Sequence, residues 1–586
     1  MAQPWFNPAR AFESALKQAA ATTVEGDFSA EIRPAEPRFG DFQANGVLGT
    51  AKRAKRNPRE LAQQILAKAE SDNLWPTAWA KAEIAGPGFI NFTLSPAFLL
   101  AWLETYNTEE ALRAAAGEFY HGRKVVVDFS SPNTAKEMHV GHIRSTVIGE
   151  CLCRLLTFCG ATVTRDNHLG DWGTQFGMLI WAIKSTGYDL DAEHENALAD
   201  LENLYKQGSA AYKASDAQAD VIRGELVKLQ NGDPDSVKTW EKISSVSWKA
   251  FQAIYDQLGI KYDVVLGESF YKDKVEHIYQ EMTQTGLAVE DQGALVVFHP
   301  EHPRFAKQPF IVRKNDGASN YATTDLATIL HRSQVMGAEE VIYVVGTPQN
   351  DHFEQLFLTA KKWYAARGWN LPQLIHANFG TVLGENGKPI KTRDGGSLKL
   401  KELLTEAIER SYGIVTEKNP DLPETERRQI AKAVGLGAVR YVDLSQNRSS
   451  DYIFSWEKML AFEGNTAPYL LYAVARIHSI FRKAELKPGD SEQGATPFET
   501  LTEMTLARKL VGFVSAIEQS MDDLRPHLLC LYLFELAGAF SAFYSADHVI
   551  VDDPAIRARR LILCARTLRT LETGLHLLGL ETLERM

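Results

Sequence analysis

Cysteine is scarce in this chain, with five in 586 residues. The set is odd in number, and Cys151, Cys153 and Cys159 share one helical stretch, with Cys530 and Cys564 far downstream. We expect reduced thiols and the cytoplasm rather than a disulfide framework. A zinc site from Cys151, Cys153, Cys159 and His142 competes with core packing, but the spacing is not that of a zinc knuckle, and Cys159 reads as core. No run approaches the roughly 18–20 apolar residues that cross a bilayer. The opening Met1-Ala2-Gln3-Pro4-Trp5-Phe6-Asn7-Pro8 lacks the basic-then-apolar order of a secretory signal. A basic excess is missing too. The net charge of −11 argues against a generic binder of nucleic-acid phosphate. It leaves room for a local patch, and Lys52-Arg53-Ala54-Lys55-Arg56 with Arg59 reads either as one or as a solvated helix face.

What is present is apolar mass: 45% of the residues are hydrophobic, enough for a sizeable core and several domains. Residues 1–115 combine an amphipathic segment, Ala11 to Ala20, with strand-like pieces near Ala82–Ile84 and Phe89–Phe92 around Gly86-Pro87-Gly88, an α+β module. From 116 to 405, strands at Val125–Phe129, Ala161–Arg165, Glu340–Val345 and Ile375–Leu383 alternate with helices, the Rossmann-like α/β pattern. A charged helical insertion, about 190–260, interrupts it. A hairpin is expected to follow, with Asn315-Asp316-Gly317 as its turn. Residues 406–586 read as an all-α helical bundle, with amphipathic stretches at Leu470–Lys483, Met504–Met521, Leu528–Tyr544 and Ala555–Leu578.

The most informative stretch is Lys124 to Gly160. The β-branched run Lys124-Val125-Val126-Val127-Asp128-Phe129 suits a buried parallel strand. Ile143, Val147, Ile148, Leu152, Leu155, Leu156 and Cys159 recur at helical spacing, and Gly160 is a natural stop. Between strand and helix stands His139-Val140-Gly141-His142. In such a unit the loop at the strand's carboxyl end, backed by a helix amino end, is where phosphates sit. Imidazoles there can donate to phosphate oxygens as charge grows, and Gly141, lacking a Cβ, admits a flat adenine.

This loop resembles the HIGH motif of class I aminoacyl-tRNA synthetases, and its flank Ser130-Ser131-Pro132-Asn133-Thr134-Ala135-Lys136 resembles the arginyl-tRNA synthetase family. So do Asn167-His168-Leu169-Gly170-Asp171-Trp172-Gly173-Thr174-Gln175-Phe176-Gly177, Glu463-Gly464-Asn465-Thr466-Ala467-Pro468-Tyr469, and Glu584-Arg585-Met586. The resemblance implies a class I catalytic domain between an appended tRNA-binding domain and an anticodon-binding bundle. It implies ATP-dependent activation of L-arginine, with Mg2+ accompanying ATP, and transfer to tRNA(Arg), by a monomer.

The resemblance also implies roles. His139, His142, Lys136 and Lys391 are expected to be catalytic. Gly141, Gly170, Asp171, His352, Phe379, Val382, Leu383 and Lys388 are expected around ATP. Tyr321 and Asp325, four residues apart and on one face of a helix start, would hold the guanidinium with Glu268, while Asp128, Asn133 and Gln349 hold the amino acid's backbone end. Two readings stand for some: Asp171 or Asp325 as a helix cap, Asp128 as a cap on the next loop. The second class I motif, KMSKS, is matched by Gly384 to Gly396 with a departure: aligning Ile390 with its methionine leaves Thr392 where the second lysine belongs, and Lys136 would supply that charge. Phe39, Gln43 and Asn45 would meet tRNA in the amino-terminal domain, though Phe39 and Phe42 serve equally as core. Tyr469, Tyr472 and Arg476 would lie at the bundle's RNA face, against burial as the alternative. Two rivals remain: a non-catalytic relative that binds tRNA or senses arginine, and another HxGH nucleotidyltransferase acting on a small molecule.

Overall fold

The computed structural model describes residues 5–315, 321–388, 390, 398–490 and 492–586. Two compact units divide the chain. One comprises residues up to Phe119 with Ala461–Leu577 and Glu581–Met586; the other comprises Tyr120–Leu460 with Leu578–Leu580.

In the first unit, β1 (Ile32–Pro34), β2 (Phe42–Ala44), β3 (Ala80–Ala85) and β4 (Phe89–Leu94) form an antiparallel sheet in the order β1-β2-β4-β3. The β3–β4 hairpin turns at Gly86 and Gly88, whose φ of 52° and 146° favour glycine. Phe92 stacks on Phe12 of helix Pro8–Ala20 with ring centroids 4.0 Å apart, and Phe42 is buried beside them. The same unit holds helices Ala467–Lys483, Leu501–Val511, Phe513–Asp522, His527–Ala546 and Pro554–Leu577. The expected Met504–Met521 stretch is therefore two helices, parted at Gly512. Helix His527–Ala546 is long and apolar enough to cross a membrane by length and composition, contrary to the expectation that no run comes close. Here it packs on helices Leu501–Val511 and Pro554–Leu577, burying Leu529, Leu533, Leu536, Phe540 and Phe543. An apolar core helix satisfies the same criterion as a membrane span.

The second unit is built on a parallel sheet of β5 (Lys124–Asp128), β6 (Thr162–Asn167), β7 (Val264–Val265), β11 (Glu340–Tyr343) and β12 (Gln373–His376), in the order β12-β11-β5-β6-β7. Val125, Val126 and Val127 are buried at its centre. Helix Val140–Phe158 follows β5, and its periodic residues Ile143, Val147, Ile148, Leu152, Leu155 and Leu156 are all buried. The five cysteines are buried. From β5 the chain runs through β6 to β7 on one side and later lays β11 and β12 on the other, so a topological switch point opens between β5 and β11.

Two expectations are corrected in this unit. The insertion forms helices Ala197–Ala214, Asp216–Gln230 and Pro234–Gln257, but the following hairpin, β8 (Ala288–Asp291) with β9 (Ala294–Val297), turns at Gln292-Gly293, both at positive φ. Asn315 lies beyond β10 (Phe310–Arg313), Asp316 and Gly317 fall outside the described residues, and the chain continues as helix Tyr321–Gln334. The expected Ile375–Leu383 strand is two pieces, because the chain leaves β12 and re-forms as β13 (Val382–Leu383) beside β14 (Tyr452–Ile453). Gly380 marks the departure: an added Cβ would meet the Ser450 backbone at 2.5 Å. Helices Leu400–Lys418 and Glu424–Leu444 belong to this second unit.

Candidate active site

The carboxyl ends of all five parallel strands carry candidate residues. Asp128 ends β5, Gly170 and Asp171 follow β6, Glu268 follows β7, Gln349 follows β11, and Phe379 follows β12. Non-glycine residues Ser130, Ser131 and Ala135 have φ of 72°, 45° and 59° in the loop after β5, a concentration of backbone strain typical of ligand-holding segments. The loop is over-determined. Ser130 N–H donates to Ser145 Oγ at 2.8 Å, Ser131 N–H to Asn167 Oδ1 at 3.2 Å, and Ala135 N–H to Ser247 Oγ at 2.9 Å. Asn133 bridges Gly170, whose added Cβ would strike the Asn133 Oδ1 at 2.1 Å. Lys136 stands exposed, its Nζ 4.9 Å from the Tyr205 ring centre.

His139 is the N-cap of helix Val140–Phe158 and shares a reciprocal cap with His142. The Gly141 N–H donates to His139 Nδ1 at 3.0 Å, and the His139 N–H donates to His142 Nδ1 at 3.1 Å. Each Nδ1 is thus an acceptor, so each neutral ring carries its proton on Nε2 and presents it as a donor. Burial lowers both: His142 falls to about 4, with the His139 ring adding, while His139 is lowered against the pull of Glu202. Gly141 has a second reason to lack a Cβ, which would come within 2.8 Å of the His139 ring.

A different group lies around helix Tyr321–Gln334. Tyr321 is 61% exposed, and its ring packs edge-on to His352 at 4.7 Å. His352 Nε2 meets Asp325 Oδ2 at 2.6 Å. Tyr321 and Asp325 therefore do share a face. His352 sides with them, although the resemblance grouped it with the adenosine residues. Glu268 is pushed up to about 8 by burial, then by the Asp325 and Asp171 carboxylates. Among the described residues no lysine or arginine neutralises it. This is a half-buried acidic slot shaped by charge for a cation.

Other candidates are already engaged. Asp128 Oδ2 accepts from Arg332 Nη2 at 2.7 Å, and its Oδ1 accepts from Ser131 Oγ at 2.8 Å, so it does restrain the next loop. Asp171 is no helix cap: Gly173 is the N-cap of helix Thr174–Thr186, and the Asp171 carboxylate accepts from Ser269. Asp325 lies inside its helix. Gln349 is exposed at the end of a 3-10 turn, Thr347–Gln349. The Phe379 carbonyl accepts from Thr347 N–H and Oγ1, both at 2.9 Å. Val382 is buried and Leu383 half-buried in β13. Lys388 is exposed in a turn closed by Gly384 N–H donating to the Lys388 carbonyl at 2.7 Å. Lys391, Thr392 and Arg393 lie outside the described residues. Beyond them, Val140 N–H donates to the Leu398 carbonyl at 2.9 Å and Leu400 N–H to the Met138 carbonyl at 2.8 Å, so the loop's return is fastened beside the histidines.

The chemistry-bearing features that sequence reasoning missed are Arg332, Ser269 and the partnership of His352 with Asp325. Only their partners, far off in sequence, give them meaning.

In the first unit Phe39 is 37% exposed with Arg38 over its ring at 4.6 Å, whereas Phe42 is core. Gln43 Nε2 donates to Asn91 Oδ1 at 2.8 Å, and Asn45 precedes helix Gly46–Arg53 without a side-chain cap bond. Tyr469 packs on Phe534 at 5.5 Å, Tyr472 is exposed, and Arg476 lies over the Tyr544 ring at 4.9 Å.

Comparison with known proteins agrees with this geometry. Residues 109–456 match the family described as tRNA synthetases class I (R), catalytic domain. Residues 9–94 match the arginyl tRNA synthetase N terminal domain and 470–586 the DALR anticodon binding domain. The arginine–tRNA ligase of Chromobacterium violaceum is 44% identical over 577 residues, covering 97% of this chain and 98% of that protein. The chain belongs to the arginyl-tRNA synthetase family. The Laribacter hongkongensis arginine–tRNA ligase is 45% identical, with 97% and 98% of the two chains covered. Among solved structures, Plasmodium falciparum arginyl-tRNA synthetase aligns with a TM-score of 0.81 at 27% identity over 99% of each chain. The Thermus thermophilus arginyl-tRNA synthetase aligns at 0.80 and 26% identity over 99% of this chain and 100% of that one.

Proposed function

We propose that this chain is an arginine–tRNA ligase acting through the two groups of residues at the sheet's carboxyl ends. The observation that carries the substrate is the acidic slot of Glu268, Asp325 and Tyr321: a planar, permanently charged guanidinium supplies the cation that Glu268 lacks. Asn133 and Gln349 then meet the amino acid's backbone end, with Asp128 as their support. The arginine carboxylate oxygen attacks the α-phosphorus of ATP, the bond to the bridging oxygen breaks, and pyrophosphate leaves. The Nε2–H groups of His139 and His142 donate to the phosphate oxygens as charge accumulates. Lys136 and Lys391 add positive charge toward pyrophosphate. Gly141, Gly170, Phe379, Val382 and Leu383 frame the adenosine, with Lys388 near the phosphates. The terminal ribose hydroxyl of tRNA then attacks the activated carbonyl and AMP departs.

Magnesium enters as part of the MgATP substrate, bound largely by phosphate oxygens and water. The reading includes Phe39, Gln43, Asn45, Tyr469, Tyr472 and Arg476 as tRNA contacts, a monomer, and the cytoplasm as the compartment. A non-catalytic relative is not favoured, because both histidines and the acidic slot are intact.

The test is exchange of labelled pyrophosphate into ATP, run with all twenty amino acids, with and without total tRNA. Exchange with arginine alone supports the assignment, and its appearance only with tRNA would add coupling. Folded protein that binds tRNA but exchanges under no condition would overturn it.

A further inference from the structure

Segments 169–171 and 267–269 are tied together by three hydrogen bonds. The Asp171 Oδ1 accepts the Ser269 N–H at 2.8 Å and its Oδ2 accepts the Ser269 hydroxyl at 2.6 Å. The Glu268 N–H donates to the Leu169 carbonyl at 3.0 Å. Gly267 leaves room for the Asp171 carboxylate, which an added Cβ would meet at 2.3 Å. Asp171 is itself anchored, since the Trp240 indole donates to its carbonyl at 2.8 Å from helix Pro234–Gln257. The need for such ties is plain from the sheet. Strand β7 is two residues long at the sheet edge, paired only through Asp166 with Val264 and Asn167 with Val265, too short a ladder to fix the turn that follows it.

We propose that Asp171 is a positioning residue of the arginine pocket: by holding Ser269 it aims the Glu268 carboxylate at the guanidinium. The proposal rests on the reading of Glu268 given above and deepens it. It moves Asp171 away from ATP, because both its carboxylate oxygens are engaged and the residue is buried. A carboxylate at this place also repels Glu268, and a bound arginine relieves that repulsion. An amide would keep the bulk but lose the double acceptance and the charge.

The experiment measures arginine and ATP KM in aminoacylation by full-length wild type and by Asp171→Asn, Ser269→Ala, Gly267→Ala and Glu268→Gln. Loss of a charge-assisted bond at this site is expected to raise the arginine KM about 10- to 100-fold in Asp171→Asn, with the ATP KM within about twofold. Ser269→Ala and Gly267→Ala should show the same split, smaller for the former. Asp171→Asn should also move the pH inflection of the arginine KM toward acid, which a merely structural loss would not do. An ATP KM that rises as much as the arginine KM, or an unmoved arginine KM, overturns the proposal. If Asp171→Asn does not fold, Ser269→Ala decides by the same criterion. Should Glu268→Gln leave the arginine KM unchanged, the pocket reading itself has failed.

Discussion

Arg332 Nη2 donates to Asp128 Oδ2 at 2.7 Å, joining the helix that bears Tyr321 and Asp325 to the carboxyl end of the central strand. Its Nε also reaches Asp166 Oδ2 at 2.9 Å, and Asp128 and Asp166 are register partners on adjacent strands. Two like charges side by side in a sheet are tolerable here because one fully buried guanidinium serves both.

Arg332→Met should therefore destabilise the catalytic unit by about 3–5 kcal/mol, the range for stripping a buried pair of one partner. Burial already raises the Asp166 carboxyl, with Arg332 opposing. Without Arg332 it rises further, so protonation relieves the variant as pH falls. Urea melts at pH 5 and 7.5 should show the gap to wild type narrowing at pH 5; an equal gap would contradict this.

Glu268 sets a pH dependence whose sign is fixed. With its carboxyl at about 8 in the empty pocket, it is protonated below that value, and a guanidinium must displace the proton. The arginine KM should rise as pH falls below 8 while the ATP KM stays flat, and Glu268→Gln should flatten the arginine profile. The raised carboxyl stabilises the empty fold below its unfolded value near 4.5 and loses that contribution as pH passes through 8. Arginine should accordingly raise the melting temperature more at pH 9 than at pH 6.

His139→Ala and His142→Ala should each lower kcat for pyrophosphate exchange by about 100- to 1000-fold, with smaller changes in KM. Burial lowers both rings from the ordinary imidazole value, to about 4 for His142, so the His142 ring should not titrate between pH 6 and 8 in the kcat profile. Gly141→Ala, which crowds the His139 ring, should resemble His139→Ala in kcat.

Phe39→Ala should raise the KM for tRNA about 10-fold through lost stacking, leaving arginine and ATP unaffected. Phe42→Ala should instead cost stability, about 3–5 kcal/mol, since Phe42 is core. Filter binding and thermal melting separate the two.

Local pattern was enough for some of this and insufficient for the rest. The β-branched run at Val125–Val127 and the helical spacing from Ile143 onward describe β5 and its helix because both patterns are intrinsic to a few turns of chain. Ile375 to Leu383 misled because the chain leaves the sheet to pair with Tyr452–Ile453, far off in sequence. At the site, the histidine pair was legible from its place after a strand, while Asp171 reads locally as a cap and reveals its partner only 98 residues on. Lys391, in the KMSKS-like loop, lies outside the described residues.

The histidines divide their labour by nitrogen. A helix start is usually satisfied by the side-chain oxygen of Ser, Thr, Asp or Asn; an imidazole does the same duty with Nδ1 and presents its Nε2–H on the far side of the ring. In the proposed reaction, stability at the first turn and donation to the phosphates would thereby fall to the same two side chains. An Asp at either position could accept the capping N–H but, ionised, could not donate, so selection on either property constrains the other.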